Sequence, residues 1–180
     1  MALFIADAGQ YYTREWLRVT AMRAGLSLTE DPDAATMFWA TVSDVEELKS
    51  LRKLRGIAGN RPIVAGGLEA STGNGLSLAY ADACVCGEGE EFILTCGDKG
   101  IDEALRLPCV VRRDDPMAQA TPSTVLSYEN APLVQSAKHV WYCLAARGCP
   151  NKCSFCMTSW GTQYSAAHPA LLRGIANKLR

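Results

Sequence analysis

Near the end of the chain stands Arg147-Gly-Cys149-Pro-Asn-Lys-Cys153-Ser-Phe155-Cys156, three cysteines at spacing C-x3-C-x2-C. The thiolate form of cysteine is a metal ligand. Gly148 and Pro150 bend the backbone beside the first thiol, so a short loop can turn three sulfurs toward one point. An iron–sulfur cubane usually takes four cysteines. Three leave one iron open to a ligand from outside the protein. The amino and carboxylate groups of S-adenosylmethionine can chelate that iron. An electron passed to the sulfonium would then break a carbon–sulfur bond and yield a 5′-deoxyadenosyl radical, which abstracts hydrogen from otherwise inert positions. A zinc knuckle completed by Cys143, His139 or His168 is the alternative. Zinc sites more often use paired C-x2-C units, and Cys153/Cys156 is the one such pair in the sequence.

The motif R-G-C-P-x-x-C-x-F-C resembles the cluster loop of the radical SAM superfamily. That resemblance implies a [4Fe–4S] cluster on Cys149, Cys153 and Cys156, with Phe155 near the adenine of S-adenosylmethionine. It also implies a partial (β/α) barrel and an electron donor such as flavodoxin or ferredoxin. Arg147 is a candidate to neutralise cluster charge or to pair with a carboxylate, and equally a solvated side chain.

Other elements must position this loop. Residues 139–145 read as a buried, aromatic-rich strand that feeds the first thiol. After the loop, His168-Pro169 opens a helix over 170–179, with Leu171, Leu172, Ile175 and Leu179 along one face. His168 reads as an N-terminal helix residue rather than a ligand.

The chain has 180 residues, room for one ordinary domain and part of another. Its 48% hydrophobic and 21% charged residues are those of a globular protein, and a net charge of −1 gives no support to a polyanion partner. No apolar run approaches membrane-spanning length. The N-terminus lacks the basic region and apolar length of a signal peptide. Eight cysteines without a secretion signal point to a reducing cytoplasm rather than to disulfides. Cys84, Cys86, Cys96, Cys109 and Cys143 then read as small core residues. Cys84 and Cys86 share one strand face, which makes them a candidate second metal pair.

Apolar runs at 2–8, 26–29, 37–42, 61–67, 82–86 and 109–112 read as strands. Helices are expected over 11–24, stopped by Gly25, and over 44–54, with Ser43 as N-cap and Glu46 completing a capping box. Further helical turns are expected at 76–81, 88–95 and 101–106, and residues 71–75 read as a loop. This alternation predicts an α/β fold: a Rossmann-like parallel sheet with helices on both faces over residues 1–112. A turn-rich linker follows over 113–137, with a strand at 125–128. The start of a partial radical SAM barrel occupies 138–180. Ligands in such sheets bind at the carboxyl ends of the strands, which here carry Asp7/Gly9, Val42/Ser43, Gly66/Gly67 and Gly87/Glu88.

Val64-Ala-Gly-Gly67, then Ala81-Asp-Ala83, then Gly87-Glu-Gly-Glu90 resembles the cobalamin-binding-type domain that precedes many radical SAM barrels. The resemblance implies that Gly66, Gly67 and Gly87 approach a cofactor, and it allows cobalamin. A cobalt-coordinating histidine is excluded from this domain by composition, because the two histidines are His139 and His168. The alternative is a Rossmann-like domain that keeps the fold without the corrin. No G-x-G-x-x-G follows the first strand, which counts against NAD, and no G-x4-G-K-[ST] loop is present.

One strand–helix unit of a parallel barrel cannot bury both faces of its strand. The chain is therefore expected to be part of a longer protein, or to be completed by a second polypeptide. Two functions compete. One is a radical SAM enzyme, with cobalamin-dependent methyl transfer as its finer form. The other is a non-catalytic iron–sulfur or zinc module that needs a partner chain. The substrate class is open, because the strands that would read it lie beyond this sequence.

Overall fold

The computed structural model describes residues 1–6, 11–71, 75–123, 134–135, 141–149, 151, 153–154 and 164–179. The first strand, β1 (Ala2–Ile5), leads to α1 (Tyr11–Arg23) and the short β2 (Ser27–Leu28). Then come β3 (Met37–Thr41), α2 (Val45–Ala58), β4 (Ile63–Gly66), α3 (Leu68–Ser71) and a 3₁₀ turn at Ser77–Ala79. β5 (Ala83–Val85), α4 (Glu90–Lys99), α5 (Ile101–Ala104) and β6 (Val110–Arg112) complete a six-stranded sheet in the order β2-β1-β3-β4-β5-β6. Its first five strands are parallel; β6 pairs antiparallel with β5, Cys84 facing Val111. The parallel sheet read from the sequence is present, with β6 added as an antiparallel edge strand.

The central strands are continuous apolar runs because helices cover both faces. All residues of β3, β4 and β5 are buried. Their side chains alternate. Met37, Trp39, Val64, Ala83 and Val85 meet Leu17 and Ala21 of α1 and Phe92, Ile93 and Cys96 of α4. Phe38, Ala40, Ile63, Ala65 and Cys84 meet Leu51, Leu54 and Ala58 of α2 and Ala70 of α3. Each large side chain so buried contributes about 1.5–3 kcal/mol. Helices α1 and α4 approach so closely that a Cβ on Gly97 would lie 2.0 Å from the Ala24 carbonyl oxygen.

Helix α2 differs from expectation at both ends. Its N-cap is Asp44, not Ser43: the Asp44 carboxylate accepts from Glu47 N–H at 2.9 Å, and the Glu47 carboxylate accepts from Ser43 N–H. The capping box is thus shifted by one residue. The helix runs on to Ala58, where Gly59 closes it at φ +60°. Helix α4 likewise extends to Lys99, and α3 occupies residues that precede the expected loop. The strand expected at 125–128 lies outside the described residues.

Four two-residue strands follow. β7 (Val134–Gln135) pairs with β8 (Trp141–Tyr142), and β9 (Ala146–Arg147) with β10 (Ser165–Ala166), both antiparallel. The strand expected to be buried at 139–145 is instead exposed where described, with Trp141 at 43% and Tyr142 at 42%. Helix α6 (Pro169–Lys178) has His168 as N-cap, its Nδ1 accepting from Ala170 N–H at 3.2 Å, and buries no residue. Among the described residues no helix is long and apolar enough to cross a membrane.

At the amino ends of the strands, Asp82 gathers three elements. Its Oδ2 accepts from Ile63 N–H at 2.8 Å and from the Arg55 guanidinium at 2.5 Å, and its Oδ1 lies 3.5 Å from Arg113. Asp82→Ala removes the shared acceptor and is expected to lower folding stability by about 1.5–3 kcal/mol, read as a shifted urea midpoint with unchanged slope.

Candidate functional site

Strands β1 and β3 are neighbours, yet the helices after them leave on opposite faces. Such a switch point opens a crevice at the carboxyl ends of the strands. A cavity of about 270 Å³ lies there. α1 contributes Thr13, Trp16 and Leu17 to its wall, and β3 contributes Trp39 and Thr41. The turns after β4 and β5 add Gly67 and the run Gly87 to Glu90, and Leu144 closes one side. Leu144 belongs to the segment that runs into the cysteine loop, so the sheet and that segment share a wall.

The glycine turns are built for close backbone approach. Gly67 sits at φ +98°, and a Cβ on it would lie 2.7 Å from the Val42 carbonyl oxygen. Gly87 sits at φ +83°, and its Cβ would lie 2.7 Å from the backbone of Ser123. Ser123 returns from the segment after β6 to pair with Gly87, its N–H donating to Cys86 O and its hydroxyl to Glu91. Ser71 ties the two turns together: its hydroxyl donates to Gly67 O at 2.7 Å and accepts from Gly87 N–H at 3.0 Å. Of the three glycines read as cofactor contacts, Gly67 and Gly87 line the cavity, while Gly66 stands behind Trp39.

On the other face, below α3, the Ser77 hydroxyl donates to the buried Glu69 carboxylate. Burial, with Glu69 and Cys86 nearby, pushes the Cys84 thiol up to about 12. Burial alone takes Cys96 to about 12, and burial with Glu91 takes Cys109 to about 11. Cys86 is raised by burial and directs its sulfur at the Ala70 carbonyl. These thiols are buried packing groups.

The cysteine loop has a defined neck. β9 and β10 place Arg147 opposite Ser165 and Ala146 opposite Ala166, so the two ends of the loop are held side by side. Ala167 N–H donates to Ala145 O at 2.8 Å and extends the clasp. Gly148 turns the backbone at φ +71° just before Cys149. Cys149 and Cys153 are half-buried free thiols, and Cys143 is exposed. Cys156 and Phe155 lie outside the described residues, as do Asp7, Gly9 and His139. Among the described residues no three metal-ligating side chains gather.

By sequence, no protein-family model and no curated protein matches this chain. The fold does have solved counterparts. Two are structures of the radical S-adenosylmethionine methyltransferase TsrM from Kitasatospora setae, one with cobalamin and a [4Fe–4S] cluster, the other with tryptophan substrate and the SAM analogue aza-SAM. The fold resembles that of TsrM. The TM-scores are 0.62 and 0.61 at 15% identity, over 99% of this chain. This chain spans 46% and 45% of those chains, somewhat less than half their length. The likeness is one of fold and runs over nearly the whole chain.

Sequence reasoning found the strand ends, but not Thr13, Trp16, Leu17, Trp39 or Leu144 as cavity walls. A large aromatic in a buried strand was the one available signal, at Trp39.

Two outcomes follow from this geometry. Gly66→Ala drives a Cβ to 2.4 Å from the Trp39 ring and is expected to cost about 1–3 kcal/mol, with the loss relieved in a Gly66→Ala/Trp39→Phe double variant measured by a mutant cycle. The unfolded thiols titrate near 9.0 whereas the folded Cys84, Cys96 and Cys109 titrate at about 11 to 12. Their contribution to stability is therefore fully present below pH 9.0 and falls as the pH rises from there towards 11 to 12, a decline to be seen in denaturant melts across that range.

Proposed function

We propose that this chain is part of a radical S-adenosylmethionine enzyme that holds a [4Fe–4S] cluster on Cys149, Cys153 and Cys156 and modifies a substrate, with cobalamin-dependent methyl transfer as the finer reading. The observation that carries it is the clasped cysteine loop, entered through Leu144, a wall of the cavity at the strand ends. The donor set fits the cluster: three thiols within eight residues, after a positive-φ glycine, with a fourth iron position left to a small-molecule chelate. When bound, the cluster supplies the electron that cleaves S-adenosylmethionine, and cobalamin would supply a methyl carrier.

The chain's own residues hold and shield. The thiolates of Cys149, Cys153 and Cys156 would hold the iron, and the motif assigns Phe155 to the adenine of S-adenosylmethionine. The backbones of Gly67 and Gly87 let a flat ligand lie close over the strand ends, which is the fit the cavity offers to a corrin. No histidine lines the cavity among the described residues. Trp16, Leu17, Trp39 and Leu144 give the cavity an apolar wall that excludes water from chemistry at its mouth.

On this reading the rest of a barrel would be supplied by further chain or by a partner polypeptide. The exposed Trp141, Tyr142 and Tyr164, and a helix α6 with no buried residue, are the surface it would cover. The electron donor is of the flavodoxin or ferredoxin kind, and a reducing cytoplasm is the compartment that cluster thiolates call for.

Anaerobic reconstitution with iron and sulfide tests this. The expected product is brown, carries about four irons per chain, and gives a reduced-state EPR signal that shifts when S-adenosylmethionine is added. Cys149→Ala, Cys153→Ala and Cys156→Ala each lose the iron. A colourless protein with one tightly held zinc would establish the module reading instead.

A further inference from the structure

Strands β4 and β5 part before they reach the cavity. Their pairing runs through Val64 with Ala83 and Ala65 with Cys84. β4 then turns at Gly67 into α3, and β5 turns at Gly87 toward α4. Both turns carry a positive φ and both line the cavity, so the distance between them shapes its floor.

Each turn is seated on its outer side by backbone. Val42 N–H donates to Gly66 O at 2.7 Å and Glu69 N–H to Val42 O at 3.0 Å, which holds the first turn against β3. Ser123 N–H donates to Cys86 O at 3.0 Å, which holds the second against the returning chain. Between the turns stands Ser71, the last residue of α3, 8% exposed. Its hydroxyl donates to Gly67 O at 2.7 Å and accepts from Gly87 N–H at 3.0 Å. The Cys86 thiol, 3.7 Å from Ala70 O, is a weaker second link, since sulfur is a poor donor.

The two bonds of the Ser71 hydroxyl are not equivalent. Gly67 O also accepts from Ser71 N–H at 3.1 Å and keeps that partner whatever the side chain. Gly87 N–H is held by the hydroxyl oxygen. The second turn cannot be stiffened by a side chain of its own, because a Cβ on Gly87 would lie 2.7 Å from the Ser123 backbone. A backbone fixed before its ligand arrives loses less freedom on binding, and so binds more tightly. The inference rests on the cobalamin reading above for the identity of that ligand. We propose that Ser71 is a positioning residue of the cavity: its hydroxyl takes over from the strand pairing where β4 and β5 separate, and holds the Gly87 turn at the spacing from Gly67 that the corrinoid meets.

The test measures binding of methylcobalamin to the full chain by equilibrium dialysis in the dark, with urea midpoints taken alongside. Ser71→Ala is expected to weaken binding by about tenfold. Ser71→Thr, which keeps the hydroxyl, is expected to bind within about threefold of wild type. Ser71→Cys, which keeps the size but bonds poorly, is expected to fall between them. Asp82→Ala, a lesion at the opposite end of the sheet, is expected to lose stability yet bind within about threefold of wild type. That contrast separates positioning from a general loss of stability. A folded Ser71→Ala with wild-type affinity overturns the proposal and leaves the cobalamin reading intact. So does a Ser71→Thr as weak as Ser71→Ala, or an Asp82→Ala that weakens binding as much as Ser71→Ala does. If Ser71→Ala does not fold, Ser71→Cys decides, and wild-type affinity in that variant overturns the proposal. Wild type that binds no methylcobalamin overturns the cobalamin reading and this proposal with it.

Discussion

Between β1 and β3 the direction of sheet growth reverses, and the cavity depends on that reversal. Helix α1 packs on one face with α4, and α2 packs on the other with α3. Neither helix can cover the edge where the two strands part, because each is committed to its own face. The crevice so formed is bounded by the last residues of β3 and the turns after β4 and β5. What fills it is then decided by side chains, and one of them, Trp39, is contributed by the sheet.

Glycine has two different duties along this edge. Gly67 and Gly87 are required by backbone conformation and by carbonyl and amide groups that leave no room for a Cβ. Gly66 and Gly89 are required by the Trp39 indole that packs against both. A motif that looks like a ligand cradle in the sequence is thus, residue by residue, also a packing device. The two roles coexist at Gly67 and Gly87, whose backbones reach the cavity while their missing side chains make space for the protein. Ser71 fixes both turns in one arrangement.

The opposite end of the sheet is organised by charge rather than by glycine. Asp82 accepts from Ile63 and Arg55 and forms an ion pair with Arg113, and Arg61 donates to the carbonyls of Pro32, Ala35, Ile57 and Ala58 while its guanidinium covers Phe38. Buried backbone carbonyls at strand and helix ends must find donors. Arginine supplies several from one planar group. The strand ends away from the cavity are locked in this way, and the functional edge is left free of cations among the described cavity residues.

The sequence by itself determined the layers. Unbroken apolar runs could be stable only as strands covered on both faces, and Leu48, Leu51 and Leu54 at helical spacing could only turn toward such a sheet. It also marked out the cysteine motif, because residue type and spacing are local properties. Tertiary structure decided what depends on distant contacts. The direction of β6 is set by its pairing with β5, Cys84 facing Val111. The exposure of Trp141 and Tyr142 follows from which surfaces find a partner. The clasp between β9 and β10, and the packing of Gly66 and Gly89 against the Trp39 indole, join residues far apart in the chain. No local pattern encodes such a meeting, since it exists only once the strands are aligned.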